Sequence, residues 1–149
     1  MVQQDNNEMY FPRRSILALS VMIDIAQNAA NNPVSAKDLA ERHGVLPRFF
    51  EIMLKDLASA GLIRGQRGPK GGYQLAREAQ EIAVPEIIAA VSGDDDKEKL
   101  PMPQAVQNKL MPYLDEMNAF LNNKLKETSL SALMRRSDNK TLPPRALAG

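Results

Sequence analysis

Apolar positions crowd at helical spacing near the start of this chain. Ile16, Leu17, Leu19, Val21, Ile23, Ile25 and Ala26 fall in one helical window, and Asn31-Asn32-Pro33 stops it. A mostly buried helix ending near Ala30 is expected, with Pro12 at its start, where a missing N–H costs nothing. Ser35 is a good N-cap for a second helix, with Asp38 three residues on. Gly44, after His43, suits the left-handed conformation of a tight turn. Pro47 fits the first turn of a third helix, whose Phe50, Met53, Leu54 and Leu57 share one face, and Gly61 ends it. Helix, short glycine turn, helix is the spacing of a helix-turn-helix.

The period then changes. Leu62-Ile63-Arg64 and Tyr73-Gln74-Leu75 flank a Gly/Pro-rich loop and predict a hairpin, which directly after a helix-turn-helix makes a wing. Residues 82–91 form a short helix beginning near Pro85. Further on, Leu110, Leu114, Met117, Leu121 and Leu125 lie 4, 3, 4 and 4 apart, with Phe120 beside them. That stripe suits a helix-on-helix interface, here assigned to dimerisation. Pro112 implies that this helix either starts near it or is kinked there. Ser129 to Met134 adds a small apolar cluster. The expected fold is mainly α with a small β-hairpin: a winged helix-turn-helix followed by a long C-terminal dimerisation helix. The expected divisions are a flexible tail (1–10), the winged helix-turn-helix domain (11–92), a loop (93–104), the dimerisation helix region (105–134) and a disordered tail (135–149).

Composition narrows the function. The 149 residues fit one domain, and 44% hydrophobic with 25% charged residues is ordinary for a globular chain. The absence of cysteine removes disulfides, thiolate metal sites, cysteine nucleophiles and cysteine-held iron–sulfur clusters. One histidine, His43, leaves no catalytic constellation and few metal options; it reads as a surface residue or phosphate neighbour. Asp94-Asp95-Asp96 lacks the spaced ligands of a calcium loop and reads as solvated. Gly68, Gly71 and Gly72 lack the ending of a nucleotide-phosphate loop. No enzyme activity, cofactor or metal is expected. With no signal-peptide pattern and no apolar run near the ~18 residues a membrane span needs, a cytoplasmic protein with no membrane role is expected.

Charge points to a partner. The whole chain is +1, yet residues 42–77 hold seven basic residues against two acidic ones, a net of +5, while the remainder sums to −4. A basic recognition helix and wing on a near-neutral protein is the footprint of a duplex-DNA binder. The first two turns of the third helix, residues 47–52, offer the base-reading candidates. Arg48 can grip guanine or a phosphate, and Glu51 can accept from a cytosine amino group. Phe49 and Lys55 lie on the same helix. At the wing, Arg67 can enter a narrow A·T-rich minor groove or hold a phosphate, while Lys70 and Arg64 suit phosphates. Ser35 and Gly71 complete the set of DNA-contact candidates.

The stretch SAKDLAERHGVLPRFFEIMLKDLASAGLIRGQRGPKGGYQLA resembles the DNA-binding domain of the Rrf-two family of bacterial transcription regulators. RGPKGGY, Arg67 to Tyr73, is close to that family's RGPGGGY wing. IAVPEIIAAVSG resembles the helix after the wing, and FLNNKLKETSLSAL the end of the dimerisation helix, so the likeness covers roughly residues 9–134. The resemblance implies a homodimer whose two recognition helices read a palindromic operator in double-stranded DNA. It matches Arg67 to a minor-groove arginine and Glu51 to an acid that reads cytosine. Many members hold an iron–sulfur cluster on three cysteines; here the corresponding segment is GDDDKEKLPMPQAVQ, and an acidic ligand of some members falls at Ile16, so no cluster is expected. Leu46 stands where a serine usually caps the recognition helix, a loss of about 1 kcal/mol unless other groups take up the helix donors. The expected function is a sequence-specific dimeric repressor answering to a small-molecule or protein effector. The alternative is an interaction module whose DNA binding a partner protein controls.

Overall fold

The computed structural model describes residues 11–29, 32–92 and 102–138. The expected tail at 1–10 and most of the expected loop at 93–104 lie outside the described residues. Helix α1 (Arg13–Asn28) starts on Pro12, whose carbonyl accepts from Ser15 and Ile16 N–H at 2.9 and 3.1 Å. Ala18, Val21, Met22 and Ile25 are fully buried, whereas Ile16 is exposed. The helix is therefore one-faced rather than mostly buried.

Helix α2 (Ala36–His43) is capped as its sequence implies. Asp38 N–H donates to Ser35 Oγ at 3.0 Å, and Gly44 takes the left-handed conformation at φ 63°. Val45 N–H then returns to Ala40 O at 3.1 Å and closes the turn. Helix α3 (Pro47–Ser59) buries the four expected residues, Phe50, Met53, Leu54 and Leu57. Leu46 supplies no side-chain cap. Two local features limit the cost: Pro47 has no N–H to satisfy, and Leu46 O accepts from both Phe49 and Phe50 N–H at 3.1 and 3.2 Å.

Strands β1 (Ile63–Gln66) and β2 (Gly72–Leu75) pair antiparallel, with Ile63 opposite Leu75 and Gly65 opposite Tyr73. A 3-10 turn (Ala79–Glu81) leads to α4 (Val84–Val91). Glu86 accepts from Ala83 N–H at 2.9 Å; Ala83 offers no acceptor in return, so half a capping box forms. The long helix α5 (Gln104–Lys126) begins well before Pro112, which sits in its interior and removes one helical hydrogen bond. Helix α6 (Leu130–Asp138) follows, capped by Ser129 Oγ accepting from Ala132 N–H at 3.0 Å. It extends past the expected boundary at 134; residues 139–149 lie outside the described residues.

One core joins these elements. Val21, Met22 and Ile25 of α1 meet Leu39, Phe50, Leu54, Leu57, Ile63, Ile87 and Leu130, each full burial contributing about 1.5–3 kcal/mol. Two backbone bridges lock distant segments together. Val34 pairs with Tyr73, and Ala83 with Ser129. Around the second bridge, Val84 N–H donates to Thr128 O at 2.9 Å and Leu130 N–H to Ile82 O at 2.8 Å. The chain thus leaves the head after α4 and is stitched back beside the start of α4 once α5 ends. Among the described residues no helix is long and apolar enough to cross a membrane.

Candidate nucleic-acid interface

Helix α3 turns its apolar face inward, which dictates what faces out. At 3.6 residues per turn, Arg48, Ile52 and Lys55 line the side opposite Phe50, Leu54 and Leu57. All three are exposed, as are Phe49 and Glu51 to either side. The sequence-derived candidates Arg48, Glu51 and Lys55 therefore share one open surface. Phe49 stands toward the start of α1, where Arg13, Arg14, Leu17, Ile52 and Met53 join it around a shallow apolar cleft.

The wing brings a second group together. Ser35, Gln66, Arg67 and Gly71 line one concave surface between the start of α2 and the hairpin loop. Gly71 must be glycine there: a Cβ would collide with the Gln66 carbonyl, and Gly71 N–H donates to Gly68 O at 2.9 Å. Arg67 and Lys70 are exposed on the same loop.

Ion pairs sort the basic residues of this region. Arg42 Nη2 lies 3.3 Å from Asp24, and Arg77 Nη1 donates to Glu86 at 2.7 Å, so these two belong to the scaffold rather than the basic surface. Arg77 also donates to Glu81 O at 2.7 Å. The Arg77 hydrogen bond and the Ala83 N–H hold the Glu86 carboxyl below its ordinary range, and Glu86 pushes the Arg77 guanidinium up. The acidic Asp56 is engaged by Arg14 at 2.7 Å. Arg48, Lys55, Arg64, Arg67 and Lys70 make no ion pair among the described residues, and Glu51 is the one acid from 42–77 left unpaired there.

His43 corrects the sequence reading. It is not a free surface side chain but a part-buried, engaged one: its ring is 14% exposed, its Nε2 lies 2.8 Å from Asp24 Oδ2, and it stacks on Phe50 at a centroid distance of 6.3 Å. Asp24 also receives Asn28 Nδ2 at 2.9 Å. This cluster ties α1 to the end of α2 and to the back of α3. Asp24 lies 19 residues from His43, so no local spacing reveals the pair.

The stripe on α5 is open. Leu110, Leu114, Met117 and Leu121 are exposed and Leu125 half-buried, and no residue of α5 is buried. The structure adds Val106 and Tyr113, 44% and 57% exposed, to the same apolar side, and Phe120, already expected beside the stripe, is 68% exposed. Val106 and Tyr113 continue the three-and-four spacing and were readable from it.

Comparison with known proteins agrees with the fold. Residues 11–136 match the Rrf2 family, described as an iron-dependent transcriptional regulator. The HTH-type transcriptional regulator IscR of Vibrio atlanticus is 40% identical over 82 residues, 55% of this chain and 47% of that protein. The chain spans about half the length of the curated relatives it matches. Among solved structures, T. potens IscR superposes with a TM-score of 0.69 at 25% identity, covering 92% of this chain and 94% of that one. Staphylococcus aureus CymR does so at 0.64 and 32% identity, covering 81% and 94%.

The donor set does not fit a cysteine-held iron centre. The chain has no cysteine. Among the described residues no cluster of three or more His, Cys, Asp or Glu is arranged to hold a metal, and the single histidine is engaged by Asp24.

Proposed function

This chain belongs to the Rrf2 family of DNA-binding transcriptional regulators, and on that premise we propose that it is a sequence-specific, homodimeric repressor that works without an iron–sulfur cluster. The family is one of regulators, not enzymes. The observation that carries the finer reading is that Arg48 and Lys55 on the outer face of α3 and Arg67 and Lys70 on the wing loop are exposed and make no ion pair among the described residues. Placed in a major groove, the outer face of α3 offers Arg48 to guanine and Glu51 to a cytosine amino group. The wing offers Arg67 to the flanking minor groove, where a narrow A·T-rich segment concentrates negative potential. Lys55, Arg64, Lys70, Ser35 and Gly71 take phosphates, which fix register without reading sequence.

The open stripe of α5 supports the dimer. A helix whose large apolar side chains mostly face solvent is completed by a second copy, with Leu110, Leu114, Met117, Leu121 and Leu125 at the seam. A two-fold pair of recognition helices then reads two halves of a palindrome about one helical turn, or a multiple of it, apart. Such a dimer represses by occupying promoter DNA in the cytoplasm. A small-molecule or protein effector acting on α5 would alter the spacing of the two helices.

The test is a fluorescence-anisotropy titration of the metal-free protein into its own upstream DNA and into a scrambled duplex, at near-physiological salt. A preference of about three orders of magnitude or more is expected of specific binding, with log K falling linearly against log salt. Equal, salt-insensitive binding to both duplexes would overturn the reading.

A further inference from the structure

On the outer face of α3 an apolar side chain stands between two cations, with the exposed Phe49 at its flank. Ile52 is 53% exposed. It follows Arg48 by four residues and precedes Lys55 by three, so it stands between two cations that make no ion pair among the described residues, on the surface proposed to face DNA. The core is filled without it: Phe50 and Met53 of the same helix are buried, and Ile52 is not. A solvated helix face flanked by cations ordinarily carries a polar residue at such a position.

We propose that Ile52 is a specificity residue that reads the 5-methyl group of thymine in the major groove. This rests on the reading of α3 as the DNA-recognition helix. The argument is one of chemistry at a fixed place. Ile52 lies in the second turn of α3, within the stretch of a recognition helix that meets base edges. In the major groove each base pair displays hydrogen-bonding groups, and thymine alone adds an apolar one, its methyl. An isoleucine has no donor or acceptor, so the only base feature it can favour is that methyl. Arg48 and Glu51 cover the polar edges beside it. The three side chains together favour a half-site in which a thymine sits next to a G·C pair. Cytosine at the thymine position lacks the methyl and leaves its amino group facing a hydrocarbon.

Burying one methyl against Ile52 corresponds to about fourfold in affinity for each thymine read. The experiment first selects duplexes from a random library with the wild-type protein. Each thymine of the selected sequence is then replaced singly by deoxyuridine, which removes only the methyl. Wild type is expected to weaken about fourfold at one thymine in each half-site, while Ile52→Ala binds thymine and deoxyuridine duplexes equally well. A side chain that merely packs in the α1–α3 cleft would lower the melting temperature of Ile52→Ala and leave the thymine-to-deoxyuridine ratio intact. That intact ratio, or a wild-type protein indifferent to every deoxyuridine, overturns the proposal while the DNA-binding reading stands. Selection that enriches no sequence overturns both.

Discussion

Val34 and Tyr73 exchange two backbone hydrogen bonds, Tyr73 N–H to Val34 O at 2.8 Å and Val34 N–H to Tyr73 O at 3.0 Å. The wing is therefore bonded to the residue that precedes the Ser35 cap, and wing and helix pair form one body. Gly72 sits in the joint, where a Cβ would lie 2.5 Å from the Val34 carbonyl. Gly72→Ala is expected to lower stability by about 1–3 kcal/mol, the ordinary cost of forcing atoms into a packed site, and to weaken DNA binding. Urea unfolding with an unchanged midpoint would contradict the tight joint.

Arg67 stands exposed at the wing with no ion pair among the described residues. Arg67→Ala should weaken binding most at sites with A·T-rich flanks, where the minor groove is narrow. Titration against duplexes differing only in their flanks checks this. An equal loss on every duplex would make Arg67 a phosphate contact.

Leu114 lies mid-stripe on α5 and is 39% exposed. Leu114→Asp places a charge in the seam of the proposed dimer, and an unpaired charge there is strongly unfavourable. Sedimentation equilibrium should report a monomer, with its melting temperature little changed because the head does not use this residue. A dimer mass retained by the variant would remove α5 from the interface.

Glu86 ties the start of α4 to Arg77, and that pairing sets a pH dependence. The Arg77 hydrogen bond holds the folded-state carboxyl below its usual value of 4.5. The group therefore contributes its stability above that value and loses it as pH falls through the lower folded-state value. The pair is exposed, so the contribution is small. Wild type should exceed Glu86→Gln in stability at neutral pH and converge with it on the acid side of about pH 4.5. A gap that stays constant from neutral to acid pH would show that the charge is not responsible.

Leu46 leaves α3 without a side-chain cap and is 67% exposed. Leu46→Ser is expected to raise stability by about 0.5–1 kcal/mol by supplying an acceptor for a helix N–H. A denaturation midpoint at or below that of wild type would show that Pro47 and the Leu46 carbonyl already satisfy the helix end.

What the sequence made legible was local. Ser35 with Asp38, Gly44, Pro47 and the buried spacing of Phe50, Met53, Leu54 and Leu57 all act within a turn or two of themselves, and each stands where its chemistry requires. The two strands were legible for the same reason, since period and glycine loop are neighbours in the chain. What escaped was every partnership set by packing. His43 and Asp24 meet only because α1 lies against α2, and Arg77 finds Glu86 only once the chain has turned through the 3-10 segment. Charge counted along the chain included Arg42 and Arg77 in the basic surface; the ion pairs, which depend on the fold, remove both. The Ala83–Ser129 bridge joins segments 46 residues apart and has no local signature.

That bridge has a mechanical meaning. The 23 residues of α5 make a rod about 34 Å long, fastened at its C-terminal end by the hydrogen bonds around Thr128 and Leu130. Rotation of a rod about such a fastening becomes travel at its far end. A tilt of about 5° at the fastening displaces the far end by about 3 Å, close to the rise of one base pair along a DNA strand. A small rearrangement beside Ile82 and Val84 would, by this geometry alone, be magnified along α5.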